Sequence, residues 1–565
     1  MMTHAHDDLL DRPPVNRPEE TLVSPRGRTH DVPRGRAGLR IPQFRPVWTV
    51  TVLIGLALTA YSICFIYTSS CVVEGQRYFT LFDDALISMR YAWNWSQGNG
   101  PVWNPGERVE GYTNFGWLLI MTLLHLPGWS PSNTCLAVQI LGIVILWLCL
   151  FAAVRLSRQI YPHPTIAIFA AVLVAFHYNL IYFSLMGVET ALLCLLITLA
   201  LTDACRALRR RTGGITTLFW FAPAVLVRLD VALPMLITAL FLLATIRRGR
   251  LRVAISFGLM ACVPLIHTLW RHSYYGDWLP NTYYLKATGW PLLERLKSGM
   301  DQSFWVGVTL GLPILLASLA LLKPKRSYIL LLTCFFGVLL YQTWIGGDAW
   351  HLNRFVIPYT IGLFVVAASG LERILALWIN HRQCFQACLC RCFVVLLVIL
   401  EMNAIHWKNI LRLSPSQTVK GNLMNIRLWR GLERSMDRDA SIAVAWAGLI
   451  PYFSERPSYD LLGKCDHYIA RLPCTSGQTC PGHNKHDFTY SLNHYRPDVI
   501  CHLYHPHLPV ILTEYRPVVV DVDGKPVAFF IRKQCTCAKG VHEIDLARAG
   551  EIIRRDQQGA QLTEN

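Results

Sequence analysis

Two adjacent carboxylates, Asp83 and Asp84, open a segment rich in residue types that suit a reaction centre: Arg90, Asn104, Glu107, Glu110, Tyr112 and Asn114 follow within one loop length. Neighbouring residues on a helix point about 100° apart, so the two acids do not act as a pair on one substrate atom. One faces the reacting centre while the other holds an Arg or a metal; local capping is an equally consistent reading of the dipeptide alone. Further clusters are Glu189 in GVET, Arg228-Leu229-Asp230, Asp277 and Asn281 in YYGDWLPNT with Lys286 beyond, and Asp348 in GGD with His351 and Arg354. Arg228, Lys286 and Arg354 suit a phosphate, Arg as a fork and Lys as a point charge, and His351 is a second proton acceptor or a donor-site residue. Singly, most of these residues read as caps, turns or loop ion pairs. Together they place acids, bases and aromatics on one surface.

Group transfer from a phosphate ester fits this inventory. It needs a cation or metal for the leaving phosphate, and a carboxylate either to deprotonate a hydroxyl or to stabilise an oxocarbenium-like transition state. Asp83 is the expected carboxylate, with Asp84 as its positioning or metal-binding neighbour. Lys286, Arg354, Arg228 and His351 are the expected phosphate binders. Arg90, Asn104, Glu107, Glu110, Tyr112, Asn114, Glu189, Asp277, Asn281 and Asp348 are pocket candidates. Asp83, Asp84 and Asp348 can hold Mg²⁺ or Mn²⁺, yet a metal-free Arg/Lys site needs no different sequence. Retention and inversion at the transferred centre stay equally open.

The elements that must position these groups are membrane helices. The 565 residues are 53% hydrophobic and only 16% charged, against about 25% charged in soluble chains. This excludes disorder, collagen and an ordinary cytosolic enzyme. Eleven apolar runs lie at 47–69, 134–154, 164–183, 189–204, 215–228, 231–245, 253–270, 303–322, 327–345, 355–378 and 392–407. Every second run leads into basic residues: Arg155 and Arg158, then Arg209 to Arg211, Arg247 to Arg252, Lys323 to Arg326, and Arg382 with Arg391. Cytoplasmic loops collect such charge, so the net charge of +17 reports topology and not nucleic-acid binding. Phe115 to Leu126 is too short to span, and counting it would invert every later loop; it is expected to lie along the interface.

The expected organisation is a disordered basic cytoplasmic tail (1–46), a transmembrane catalytic domain (47–407) whose first outer loop (70–133) carries the acids, and an extracytoplasmic soluble α/β or α+β domain (408–565). The setting is a bacterial inner membrane. The polar lead is too long for a cleaved signal peptide. Cys465, Cys474, Cys480, Cys501, Cys535 and Cys537 are disulfide candidates in an oxidising compartment, with zinc on His483 and His486 the weaker reading. Cys384, Cys388, Cys390 and Cys392 read as reduced thiols at the opposite membrane edge.

The run DDALISMRYAWNWSQGNGPVWNPGERVEGYTNFGW at 83–117 resembles the first outer loop of the mycobacterial terminal β-(1→2)-arabinofuranosyltransferase family. The resemblance continues in GVET at 187–190, YYGDWLPNTYYLKA at 274–287, GGDAWHLNRF at 346–355, AGLIPYFS at 447–454 and PGHNKHDFTYSLNHYRPDVI at 481–500. These are polytopic GT-C glycosyltransferases. The resemblance implies a catalytic acid at Asp83 or Asp84, a polyprenyl-phosphate sugar donor entering from the bilayer, and an acceptor hydroxyl on a cell-envelope glycan or surface protein. The long basic tail, the Leu after Arg228 where relatives tend to carry Pro, and the cysteine-rich outer domain depart from the pattern. Related enzymes use hexoses or other pentoses. A polar-substrate transporter and a receptor or assembly scaffold are the rivals; a transporter would place its charges near the midplane in related halves, and no repeat is present.

Overall fold

A computed structural model describes residues 45–348, 353–378, 384–474, 482–502 and 509–561. The basic tail up to residue 44, His351 and Cys480 lie outside them, as does the side chain of Cys384. Among the described residues eight helices are long and apolar enough to cross a membrane, or nine if one bent pair counts as a span. The expected eleven shrink for a physical reason: spanning takes about 20 residues, and three of the runs break.

The first span is α1 (Arg45–Ser69). A short hairpin of β1 (Cys71–Val73) and β2 (Gln76–Tyr78) leads into α2 (Asp83–Ser96), whose first turn holds both acids. The apolar stretch after the loop forms α3 (Phe115–His125), an 11-residue helix as expected of an interfacial element. Next come α4 (Pro131–Ile160), then α5 (Pro164–Ala175) and α6 (Tyr178–Leu185), bent by 53°. After α7 (Thr190–Arg210), the expected hairpin of two spans is instead α8 (Phe221–Val227) and α9 (Ala232–Thr245), separated by a turn of 3-10 helix at Leu229–Val231. That break sets Arg228 and Asp230 on the wall of a cavity that Asp84 also lines.

Four more spans follow in order: α10 (Arg250–Tyr275), then, beyond the short α11 (Asn281–Ala287), α12 (Leu292–Ala320), α13 (Arg326–Ile345) and α14 (Thr360–Trp378). The last is α15 (Cys384–Met402). Pro313 kinks α12, where Leu310 leaves helical geometry (φ −129°, ψ 15°). The amide of Leu312, freed by the kink, donates to both carboxylate oxygens of Glu401 on α15, at 2.9 and 3.0 Å.

After α16 (Trp407–Leu411) and α17 (Ser416–Ser435), the chain enters a mixed six-stranded sheet. Its elements are β3 (Ile442–Val444), α18 (Leu449–Ser454), β4 (Ser458–Asp460), α19 (His467–Arg471), α20 (Phe488–Tyr495), β5 (Val499–Ile500), α21 (Pro509–Glu514), β6 (Tyr515–Val522), β7 (Lys525–Arg532), β8 (His542–Glu543) and α22 (Leu546–Gln561). The order is β4-β3-β5-β7-β6-β8, with β3 parallel to both neighbours and the remaining pairs antiparallel. Asp523 (φ 60°) and Gly524 (φ 71°) make the two-residue turn between β6 and β7, the left-handed pair such hairpins require.

Of the candidate cysteines, the described residues pair only Cys535 with Cys537. Cys465 and Cys501 are buried free thiols and Cys474 is half-buried and free, so a six-cysteine framework is not what holds this domain. The packed sheet core supplies its stability instead. The metal-capable group among the described residues is Asp498 with Cys535 and Cys537; those thiols are joined and Asp498 is taken by Arg532 at 2.7 Å.

Glu401→Leu leaves the kinked amides of α12 unpaired in an apolar setting. Thermal unfolding in detergent is expected to show a loss of about 1–3 kcal/mol, while Glu401→Gln, which retains one acceptor, loses less.

Candidate active site

The carboxyl ends of two adjacent parallel strands meet the start of α2, the kind of crevice where α/β sheets bind ligands. From the end of β3, the Leu449 amide donates to Asp83 Oδ1 at 3.1 Å, with the Gly448 amide also in reach. Gly448 is required by this approach, since a Cβ there would sit 2.6 Å from Asp83 Oδ1. From the end of β4, Asp460 accepts from the amides of Leu462 at 2.9 Å and Cys465 at 2.8 Å, forming the turn that presents Lys464. Lys464 Nζ then donates to Asp84 Oδ1 at 2.9 Å.

Asp84 sits in a ring of cations. Arg354 approaches its other oxygen at 3.6 Å and is also paired with Asp348, Nη2 donating to Oδ1 at 3.1 Å and Nε lying 3.0 Å from Oδ2. Lys286 lies 4.0 Å from Asp348. Burial alone would raise the Asp84 carboxyl, but Lys464, Arg354 and Lys286 outweigh it and hold the group ionised far below the usual carboxylate range. The same burial lowers Lys286, against the pull of Asp348. Asp83 goes the other way: burial pushes it up to about 6, Lys464 opposing and Asp84 adding to the rise. Two neighbouring acids are thus driven to different protonation behaviour by their surroundings.

A cavity of about 530 Å³ opens over this cluster, lined among others by Asp84, Asn114, Arg228, Lys286, Arg354 and Lys464. Arg228 forks Asp230 (3.0 and 3.2 Å), reaches Glu189 at 3.3 Å, and lies over the Phe355 ring. Glu189 in turn accepts from Asn114 at 3.0 Å, and Asn114 from Ser88 at 3.1 Å. Tyr112 lines the cavity with its hydroxyl 3.0 Å from that of Tyr275.

The remaining sequence candidates build the frame. Arg90 is buried and donates to the carbonyls of Trp103 (3.1 Å) and Arg456 (2.9 Å), tying the first loop to the sheet domain. Asn104 exchanges two bonds with the main chain of Ser458, at 2.7 and 3.2 Å, and donates to Glu107 at 3.1 Å. Asn281 donates to the carbonyls of Gly463, Lys464 and Asp466, so it fixes the Lys464 turn and not a substrate. Asp277 is forked by Arg471 at 2.8 and 2.9 Å, and Glu110 is paired with Arg271.

Asp83, Asp84 and Asp348 do not converge as a metal-ligand set among the described residues; Lys464, Arg354 and Lys286 stand where a cation would be held, and backbone amides hold Asp83. Lys464 was not among the sequence candidates. No local pattern marks it, since it simply follows Leu461-Leu462-Gly463 and precedes Cys465.

Residues 413–543 match a domain of unknown function, DUF8728. Over about half of its length the chain is 27% identical to the terminal β-(1→2)-arabinofuranosyltransferase of Corynebacterium glutamicum and 30% identical to that of Mycobacterium tuberculosis. Each alignment takes in 49% of this chain and 46% or 45% of the relative, so the chain spans about half the length of the curated relatives it matches. Among solved structures, ArnT from Cupriavidus metallidurans bound to undecaprenyl phosphate superposes over 86% of this chain and 98% of its own, with a TM-score of 0.50 at 11% identity. The chain is a polytopic membrane protein of the GT-C fold and a sequence relative of the terminal β-(1→2)-arabinofuranosyltransferases.

Proposed function

We propose that this chain is a glycosyltransferase that moves arabinofuranose from a polyprenyl-phosphate donor to a hydroxyl of a cell-envelope glycan or surface protein. The observation that carries the reading is the cavity in which Lys464, Arg354 and Lys286 surround Asp84, with Asp83 next to it in the first turn of α2. The relatives' names supply the sugar and the ArnT complex the donor class.

Access from the bilayer suits the layout. The cavity wall includes Tyr341, Trp344 and Ile345 at the end of the membrane helix α13, where Trp344 and, one turn earlier, Leu340 are exposed. A prenyl chain can lie against these side chains while its phosphate reaches Lys286 and Arg354. The basic loops at the opposite helix ends support an outward orientation of this face from a bacterial inner membrane.

In the reaction the acceptor oxygen bonds to the anomeric carbon, and the bond from that carbon to the phosphate oxygen breaks. The electron pair leaves on polyprenyl phosphate, where Lys286, Arg354 and Lys464 meet the extra charge. The acceptor proton passes to Asp83, whose elevated proton affinity suits a base working near neutrality. Asp84 keeps the three cations assembled.

A base must be ionised, so activity is expected to fall as pH drops through about 6 and to be level above it. Asp83→Asn is expected to lose roughly 10³-fold in kcat without losing donor binding; radiolabelled polyprenyl-phosphate arabinose in nanodiscs measures both. Full activity in a folded Asp83→Asn protein removes the assignment. Lys464→Met is expected to cost roughly 10²-fold in kcat/KM and to move the acid limb to higher pH, because Lys464 holds Asp83 down. A purely structural Lys464 would leave that limb in place.

A further inference from the structure

Buried beside the cavity are polar atoms that the transfer step does not use. Arg271 on α10 and Glu110 in the first loop are each 2% exposed, and Arg271 Nε donates to Glu110 Oε2 at 2.5 Å. Arg271 Nη2 reaches His267 Nδ1 at 3.4 Å, which leaves one nitrogen of the guanidinium and one oxygen of the carboxylate: among the described residues Arg271 Nη1 and Glu110 Oε1 are buried with no hydrogen-bond partner, as is Thr282 Oγ1. Buried polar atoms are almost always paired, so three orphans together call for a ligand that completes them. Arg271 and Thr282 line the cavity, and so do Gly111 and Tyr112, which directly follow Glu110.

The chemistry of the orphans selects the ligand. A guanidinium donor, a carboxylate acceptor and a hydroxyl form a set that sugar hydroxyls satisfy, since each hydroxyl both donates and accepts. A phosphate would be repelled by Glu110, and a prenyl chain would leave all three atoms unpaired. We infer that Arg271, Glu110 and Thr282 form the subsite that holds the ring hydroxyls of the donor's sugar and thereby sets which sugar is transferred.

Register along α11 places this subsite next to the phosphate. The Asn281 amide donates to the Glu110 carbonyl at 3.0 Å, which locks the first loop to the start of α11. Thr282 and Lys286 are four residues apart on that helix and both line the cavity, so their Cβ atoms are separated by about 6 Å. That is the reach from a glycosyl phosphate to the far hydroxyls of its own ring.

This inference rests on the glycosyl-transfer reading, and the test separates the two. Wild-type protein in nanodiscs is given polyprenyl-phosphate arabinose and a series of monodeoxy donors. The donor lacking a held hydroxyl is expected to lose roughly 100-fold or more in kcat/KM, as sites built to bond a hydroxyl reject its absence. Glu110→Gln is expected to lose comparably on the intact donor yet little more on that one deoxy donor, because the two changes remove the same bond. Thr282→Val, a near-isosteric change that leaves the buried ion pair intact, gives the same comparison should Glu110→Gln fail to fold. If variant and deoxy losses simply multiply at every ring position, the subsite is overturned. If the coupling appears with monodeoxy acceptors instead, the assignment to the donor is overturned. If wild type consumes no polyprenyl-phosphate sugar at all, the transferase reading falls and takes the subsite with it.

Discussion

Asp84 is held ionised by the three cations that face it, and the attraction is mutual. Lys464 arrives from the sheet domain, Arg354 from the loop before α14, and Lys286 from α11, so one carboxylate draws together three distant parts of the chain. Removing one member of such a cluster strands the others, because a charge taken out of water needs its partner far more than a surface charge does. The rest of the frame acts to hold these arrivals in register. Asn281 clamps the Lys464 turn through three carbonyls, Asp460 shapes it through two amides, and Asp348 keeps Arg354 and Lys286 side by side.

The sheet domain is therefore part of the site and not an appendage. Asp83 is held by amides at the end of β3, and Asp84 by a lysine presented after β4. The order β4-β3-β5 with parallel pairing puts these two loops side by side at one edge, the place where open α/β sheets form ligand crevices. Arg90 and Asn104 then bind the first loop to Arg456 and Ser458 of the same domain, so the acids and their partners move as one body.

Much of this was legible in sequence because the bilayer imposes a strict length and charge code. The long runs became membrane helices, Phe115–His125 became a short helix, and the segment from residue 408 folded around a sheet flanked by helices. Hydropathy misjudged the segments around Arg228: apolar content says nothing about where a helix breaks, and α8 and α9 stop short of spanning length. Cysteine counting failed too, since four of six outer-domain thiols needed partners that the packed fold does not bring to them, or lie outside what is described. Lys464 escaped because nothing local separates a lysine that pairs across 380 positions from one that is solvated. Asp277 and Asn281 were read as pocket residues by type, while only three-dimensional pairing distinguishes a wall from a strut.

Charge accounting ties the proposed chemistry to this arrangement. Lys464, Arg354 and Lys286 face Asp84, Asp348 and, when ionised, Asp83. A phosphodiester donor brings one negative charge into this balanced set, which by proximity strengthens the proton affinity of Asp83. When the sugar departs, the phosphate gains a second negative charge as Asp83 gains the acceptor's proton. The site's total charge is then the same before and after the step. In a cavity of low dielectric that constancy matters more than the strength of any single pair, because an unbalanced unit charge there costs far more than it does in water. On the proposed reading, the two neighbouring acids divide the work accordingly: Asp84 remains charged throughout to keep the cations in place, and Asp83 changes charge so that nothing else has to.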